Sequence, residues 1–177
     1  NYGAAKGTGE YIMFLTQDAI PVNNCWIQNM IDAMKLDPDI AGGFGMHYPY
    51  PECNVLDKRD LKRHFQNFGS DNTVFYIEDT ERYYSDPSYQ QYLGFFSDNN
   101  SCLKRIIWEK IPYKDVDFAE DQIWARDILE AGYKKVYCPY AAVYHSHNYP
   151  LKTYCQRYYD EFKGIYKVYQ WKMFDKR

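Results

Sequence analysis

No stretch of this 177-residue chain approaches the roughly 20 consecutive apolar residues that a membrane-spanning helix requires. Nor is there a basic excess: 21 Lys and Arg face 24 Asp and Glu, for a net charge of −3. Phosphate backbones are bound through basic stripes, so this balance argues against nucleic acid as a partner. Cysteine is sparse and odd in number, at positions 25, 53, 102, 138 and 155, and no C-x-x-C spacing occurs. That pattern disfavours a disulfide framework or a zinc site and fits reduced, mostly buried thiols in the cytoplasm. Gly42-Gly43-Phe44-Gly45 is not followed by Lys-Ser/Thr, which excludes a nucleotide P-loop. A secretory leader pattern is missing from the first residues as well.

The chain does have apolar content, 46% of it, enough for one domain with a real core. It also has 20 tyrosines. Tyr joins a large apolar body to a polar tip, which suits half-wet packing surfaces and sugar-binding clefts alike. The tyrosines follow no fixed period, so a repeat architecture is not indicated.

The clearest element is the apolar run Tyr11-Ile12-Met13-Phe14-Leu15, read as a buried strand over 11–16. It delivers Asp18 to the point where the strand stops, and ligands of open α/β sheets bind at such ends. A helix follows, capped by Asn23 or Asn24, with Ile27, Met30, Ile31 and Met34 on one face and Pro38 closing it. Residues 40–48 form a strand whose glycines allow close backbone approach. Residues 57–68 are helical, and 70–92 read as a long excursion over the active face. After a strand or loop at 93–103, a helix over 117–131 stops at Gly132. Two short strands, 136–137 and 142–145, are separated by Pro139. From 151 a long helix carries Tyr154, Tyr158, Phe162, Ile165 and Tyr169 on one face. It docks on the domain, or it meets a membrane or partner with help from Lys152, Arg157, Lys163, Lys167 and Lys172.

Several residues carry two readings. Asp117 with Glu120 forms a capping-box spacing, and Asp121 in the first turn favours the helix dipole. Alternatively, Asp121 projects into a cleft as a general base toward a sugar hydroxyl. His145 and His147, two residues apart, can share one face as metal ligands, or serve as a core and a surface histidine. Asn99, Asn100 and Ser101 suit a polyhydroxy ligand or an ordinary turn. Trp124 stacks on a sugar ring or packs in the core. Lys104-Arg105 reads as a solvated pair, and His47 and His64 give no specific signal.

Taken in order, Asn1-Tyr2-Gly3, Gly9-Glu10-Tyr11 through Thr16-Gln17-Asp18-Ala19-x-Pro21, Phe96-Ser97-Asp98-Asn99-Asn100-Ser101, Glu120-Asp121-Gln122-x-Trp124-Ala125, Gly132-Tyr133 and Tyr137-x-Pro139-x-Ala141-x-Val143-x-His145-Ser146-His147 resemble family 2 glycosyltransferases with the GT-A fold. The nearest branch is the bacterial rhamnosyltransferase-like one. The match spans residues 1–150, and 151–177 follow as an amphipathic helix.

The resemblance implies an α/β, Rossmann-like fold and a metal-dependent, inverting transfer of a sugar, rhamnose by branch, in surface polysaccharide synthesis. The donor is a nucleotide sugar, and the acceptor is a glycan or lipid-linked hydroxyl. Asp18 matches the last acid of the family's D-x-D motif, whose first acid is Thr16 here. His145 matches a further ligand for Mn²⁺ or Mg²⁺, and Asp121 matches the catalytic base. Donor contacts fall to Asn1, Gly3 and Gln17, and acceptor or sugar contacts to Asn99, Ser101, Glu120 and Trp124. The strand–helix–strand half that reads the nucleotide base in such enzymes has no counterpart, so the chain matches the C-terminal part of the family domain. The segment alone is expected to be inactive, with an open sheet edge, and to sit in the cytoplasm at the inner face of the membrane. Competing readings are a non-catalytic carbohydrate- or protein-binding module and a metal-dependent hydrolase built on Asp18, Asp121 and the two histidines.

Overall fold

A computed structural model describes residues 1–170. Their elements run α1 (Tyr2–Lys6), β1 (Tyr11–Leu15), β2 (Ile20–Pro21), α2 (Trp26–Met34), β3 (Ile40–Tyr48), α3 (Val55–Gln66) and β4 (Thr73–Phe75). Then come α4 (Thr80–Ser85), α5 (Pro87–Gly94), β5 (Asn100–Lys104), α6 (Arg105–Lys110), α7 (Glu120–Glu130), β6 (Lys134–Tyr144) and α8 (Leu151–Tyr169). The strands form one mixed sheet in the order β1-β5-β3-β6-β2, with β4 also on β6. Only β3 and β6 run parallel among the described strands.

β3 is the central strand because both its faces are covered. From Gly42 onward its residues alternate between two cores. Gly42 lies under the Trp124 ring, where an added Cβ would stand 2.7 Å from Cζ3. Gly43 faces the sulfurs of Met30 and Met34 on α2. Phe44 returns to the first side, among Phe68, Phe96 and Tyr137. Larger residues at 42 and 43 would hold α7 and α2 off the sheet.

Local signals explain several helices. Asn54 accepts from the Asp57 amide at 3.0 Å and caps α3, with Asp57 in the first turn and Arg63 and His64 in the last. Asp86 caps α5, and Pro87 occupies its first turn.

Other expectations need correction. The buried face of α2 is Trp26, Met30, Ala33 and Met34, while Ile27 turns to solvent. Residues 70–92 are not a loop over the active face. They form β4, α4 and most of α5, held by pairing of β4 with β6 and by Tyr83 in the core. Pro139 does not divide two strands. β6 is continuous and bulges there, since its register against β3 shifts between Gly45 and His47. The capping box at Asp117 does not form: α7 begins at Glu120, after Ala119 in the left-handed region at φ 58°. β1 is the edge of the sheet and buries only Ile12, so it is half-covered rather than buried.

The aromatic face of α8 docks inward. Tyr154 and Tyr158 donate to Asp60 of α3 at 3.0 and 3.1 Å, and Ile165 and Tyr169 are buried. No described helix is long and apolar enough to cross a membrane. Lys172 and the end of the predicted 151–177 helix lie outside the described residues. All five cysteines are free, and three of them are buried.

Candidate active site

β1 ends at Leu15 and the chain turns at once, the Ala19 amide donating to Thr16 O at 3.0 Å. β2 then pairs with the end of β6, setting Ile20 opposite Tyr144. This pairing carries Asp18 to the segment just past β6. There the His145 amide donates to Tyr48 O at 2.9 Å, and Tyr50 donates its hydroxyl to the Asp18 carbonyl at 2.9 Å. Asp18 Oδ1 stands 3.6 Å from His145 Nε2, and Oδ2 stands 3.7 Å from His147 Nδ1. One ligand atom from each of the three lies within 4.8 Å of the others. Burial, aided by His147 and Arg157, outweighs Asp18 and lowers the His145 pKa, so its imidazole is neutral near pH 7. A neutral imidazole is the form that binds a metal.

The residue spacing offered both histidines as ligands and the resemblance named Asp18 and His145; the structure gathers all three, His147 included. Its signal was the spacing of two from His145, which keeps both rings on one side.

A second acidic centre lies on the neighbouring turn. Asp98, between α5 and β5, accepts from Tyr113 at 2.8 Å and Ser101 at 2.7 Å. Its amide donates to Asp121 Oδ2 at 3.2 Å, and the Gln122 amide donates to Asp121 Oδ1 at 2.7 Å. Burial pushes Asp98 up to about 6. Burial first, then the charge of Asp98, pushes Asp121 up to about 7. A carboxylate poised there is a competent base at neutral pH. This turn is joined to the first cluster, because the Thr16 amide faces Asn99 O at 3.4 Å.

Not every expected contact residue reaches a cavity. Trp124 is 1% exposed, with its indole N–H on Ile111 O at 2.7 Å; it is a core residue. Ser101 is fully buried and spent on Asp98. Asn100 is likewise buried, accepting from the Trp26 indole and donating to Ala141 O across the β6 bulge. Asn1 is used in structure, donating to Tyr113 O at 2.7 Å and accepting from Trp108 at 3.3 Å. Gly3, Gln17 and Glu120 are exposed. Asn99 lines a cavity together with His145 and His147.

No protein-family profile matches the chain. It is similar to two O-antigen chain rhamnosyltransferases. With RfbN of Salmonella typhimurium it shares 34% identity over 158 residues, covering 85% of this chain and 46% of that protein. With WbaN of Salmonella anatum it shares 29% over 164 residues, covering 89% and 47%. The chain thus spans about half the length of these relatives. Its structure is similar to the mannosyltransferase PcManGT from Pyrobaculum calidifontis, solved in complex with GDP-Man and Mn²⁺. The TM-score is 0.56 at 15% identity, over 93% of this chain and 39% of that one. At that identity the likeness is one of fold.

Proposed function

We propose that this chain carries the metal and base centres of an inverting, family 2-type glycosyltransferase of the GT-A fold. It would move a sugar, rhamnose by likeness to the two relatives, from a nucleoside-diphosphate donor to a hydroxyl of a glycan or lipid-linked acceptor. The pathway class is O-antigen or related surface polysaccharide synthesis. The observation that carries this reading is the convergence of Asp18, His145 and His147 at the strand end beside a turn that holds Asp121.

The donor set fits a divalent ion. Asp18, His145 and His147 would hold it: one ligand atom of each lies within 4.8 Å of the others, and the Asp18–His spacings of 3.6 and 3.7 Å are too long for hydrogen bonds. Two imidazoles with one carboxylate suit Mn²⁺ better than Mg²⁺, which takes oxygen ligands. When bound, such an ion offsets the charge that develops on the departing diphosphate. Asp121 takes the proton of the acceptor hydroxyl as that oxygen bonds to the sugar C1 and the C1–diphosphate bond breaks. The Asp98 and Gln122 amides keep the Asp121 carboxylate aimed while it waits in its basic form.

The hydrolase reading asks for a denser ligand cluster. Among the described residues only Asp18, His145 and His147 gather this way.

Titrating Mn²⁺ against nucleoside diphosphates tests the reading. Diphosphate binding that requires Mn²⁺ and is lost in Asp18→Ala is expected. Diphosphate binding indifferent to both, or cleavage of the nucleotide sugar with water as the only acceptor, would overturn it.

A further inference from the structure

The face of α8 that carries Tyr154, Tyr158 and Tyr169 is turned inward. Its opposite face leaves large apolar side chains in water: Leu151 is 71% exposed, Tyr159 69% and Tyr166 39%. At about 100° per residue the two tyrosines fall on one stripe, and Lys152, Lys163 and Lys167 border it on one side. All three lysines are exposed.

α3 repeats the pattern. Val55 is 80% exposed and Leu56 46%, and Arg59, Lys62 and Arg63 follow them on the solvent side of the helix. The two helices stand side by side. Asn54, the cap of α3, donates to Asn148 just ahead of α8 at 3.4 Å, and one turn further on Asp60 accepts from Tyr154 and Tyr158. They therefore start together and run the same way. The exposed face of α3 lies about a quarter-turn from Asp60, and that of α8 about a third of a turn from the two tyrosines in the opposite sense. On helices pointing alike, those rotations bring both faces to one side of the pair.

Charge is gathered at the same end of the chain. Residues 151–177 hold seven Lys and Arg against three Asp and Glu, net +4, whereas residues 1–150 hold 14 against 21, net −7. A positive end on a negative body turns that end toward an anionic surface. The occupant must also take apolar side chains spread along the helix, since Leu151 to Tyr166 spans about 22 Å at 1.5 Å per residue. A soluble polyanion would hold the lysines and leave Val55, Leu151 and Tyr159 in water. A lipid surface answers both demands. Its phosphates take the ammonium groups, and the layer beneath them takes leucine and the tyrosine ring, with the phenol left at the polar boundary.

We propose that the outer faces of α3 and α8 form a docking surface for an anionic phospholipid membrane, with Leu151 and Tyr159 entering the headgroup layer and Lys152, Lys163 and Lys167 resting on the lipid phosphates. It goes beyond the transferase reading and does not rest on it, because neither the Asp18 cluster nor Asp121 takes part.

The test mixes the 177-residue chain with vesicles of phosphatidylglycerol and phosphatidylethanolamine, or of phosphatidylcholine alone, and reads binding by co-sedimentation. Saturable binding to the anionic vesicles is expected, at least tenfold weaker on phosphatidylcholine. The triple variant Lys152→Gln, Lys163→Gln, Lys167→Gln should bind the anionic vesicles at least tenfold more weakly, as should the double variant Leu151→Ser, Tyr159→Ser. Lys35→Gln, an exposed site on α2, should bind as the parent does. Circular dichroism melts confirm that each variant is folded. No binding to anionic vesicles, equal binding to both lipids, or full binding by either multiple variant overturns the proposal. So does a chain that ignores vesicles and is dimeric by light scattering until Leu151 and Tyr159 are replaced, because the face would then belong to a second copy. If vesicle binding holds while Mn²⁺-dependent diphosphate binding is missing, the transferase reading fails and the docking surface stands.

Discussion

The backbone amide of Asp98 donates to the carboxylate of Asp121 at 3.2 Å, so one acidic residue orients another. The same residue acts in two directions. Its amide stabilises the charged form of Asp121, whereas burial and the Asp98 carboxylate oppose that form more strongly. The result is a carboxyl group that titrates near pH 7 rather than near 4.

Replacing Asp121 with Asn should reduce sugar transfer by roughly 10²–10⁴-fold, the usual contribution of a positioned base. In the unaltered protein kcat/KM should rise through about pH 7 and level off above it, as Asp121 loses its proton. Stability should move the other way. Between the ordinary carboxyl value of 3.8 and about 7, the unfolded chain has released this proton and the folded chain has not. The native state is therefore progressively disfavoured across that window, and Asp121→Asn should melt higher than the parent at pH 8. Equal melting temperatures at pH 8 would contradict the assigned burial.

His147 should matter as much as Asp18 for metal. Loss of either ligand is expected to weaken Mn²⁺ binding by at least the roughly 10–100-fold seen for supporting residues of metal sites. Calorimetry on His147→Ala, Asp18→Ala and His145→Ala reads this directly. Mn²⁺ affinity unchanged in His147→Ala would reduce the site to two protein ligands.

Gly164 of α8 lies against Phe118, and a Cβ there would collide with the ring. Phe118 leads into Ala119, the left-handed residue that starts α7 two positions before Asp121. Gly164→Ala should therefore lower kcat more than it alters KM, at a stability cost of about 1–3 kcal/mol from overpacking. Adding Phe118→Ala removes the collision and should recover part of the loss. A double variant no better than the product of the two single ones would show that the contact does not position the base.

Lys135 is fully buried between the Phe44 and Phe75 rings, and its amine donates to Phe95 O. Burial lowers its pKa well below 10.5. Below 10.5 the unfolded chain binds this proton before the folded chain does, so the group's contribution to stability falls as pH falls. Lys135→Met should raise the melting temperature at pH 7, with the gain shrinking toward pH 10. A lower melting temperature at both values would mean that the bond to Phe95 outweighs the cost of burial.

Much of the scaffold was readable because local patterns and tertiary packing agree. The run at 11–15 and the glycine-bearing strand at 40–48 are strands by composition alone, and the charged stretch 57–68 overlaps α3, which the Asn54 cap starts two residues earlier. α2 was located correctly but rotated: Trp26 and Ala33 took the buried face because the indole finds Asn100, a residue 74 positions away. Pro139 read as a break because a proline cannot donate to a ladder, yet a bulge accommodates it, with Asn100 satisfying the freed Ala141 carbonyl. Residues 70–92 lacked periodicity because their helices are short and are fixed by the core and by α7 rather than by their own pattern.

The sequence by itself determined that Asp18 ends a strand, that two histidines stand two residues apart, and that Asp121 opens a helix. Those are statements about neighbours along the chain, where spacing and propensity suffice. Only the tertiary structure decided that β2 pairing with β6 brings Asp18 against His145 and His147, that Asp98 reaches Asp121, and that four histidines meet in one cavity. It also decided that Trp124 is core and Ser101 is spent. Burial and charge proximity set those outcomes, and both depend on residues brought together from distant parts of the chain.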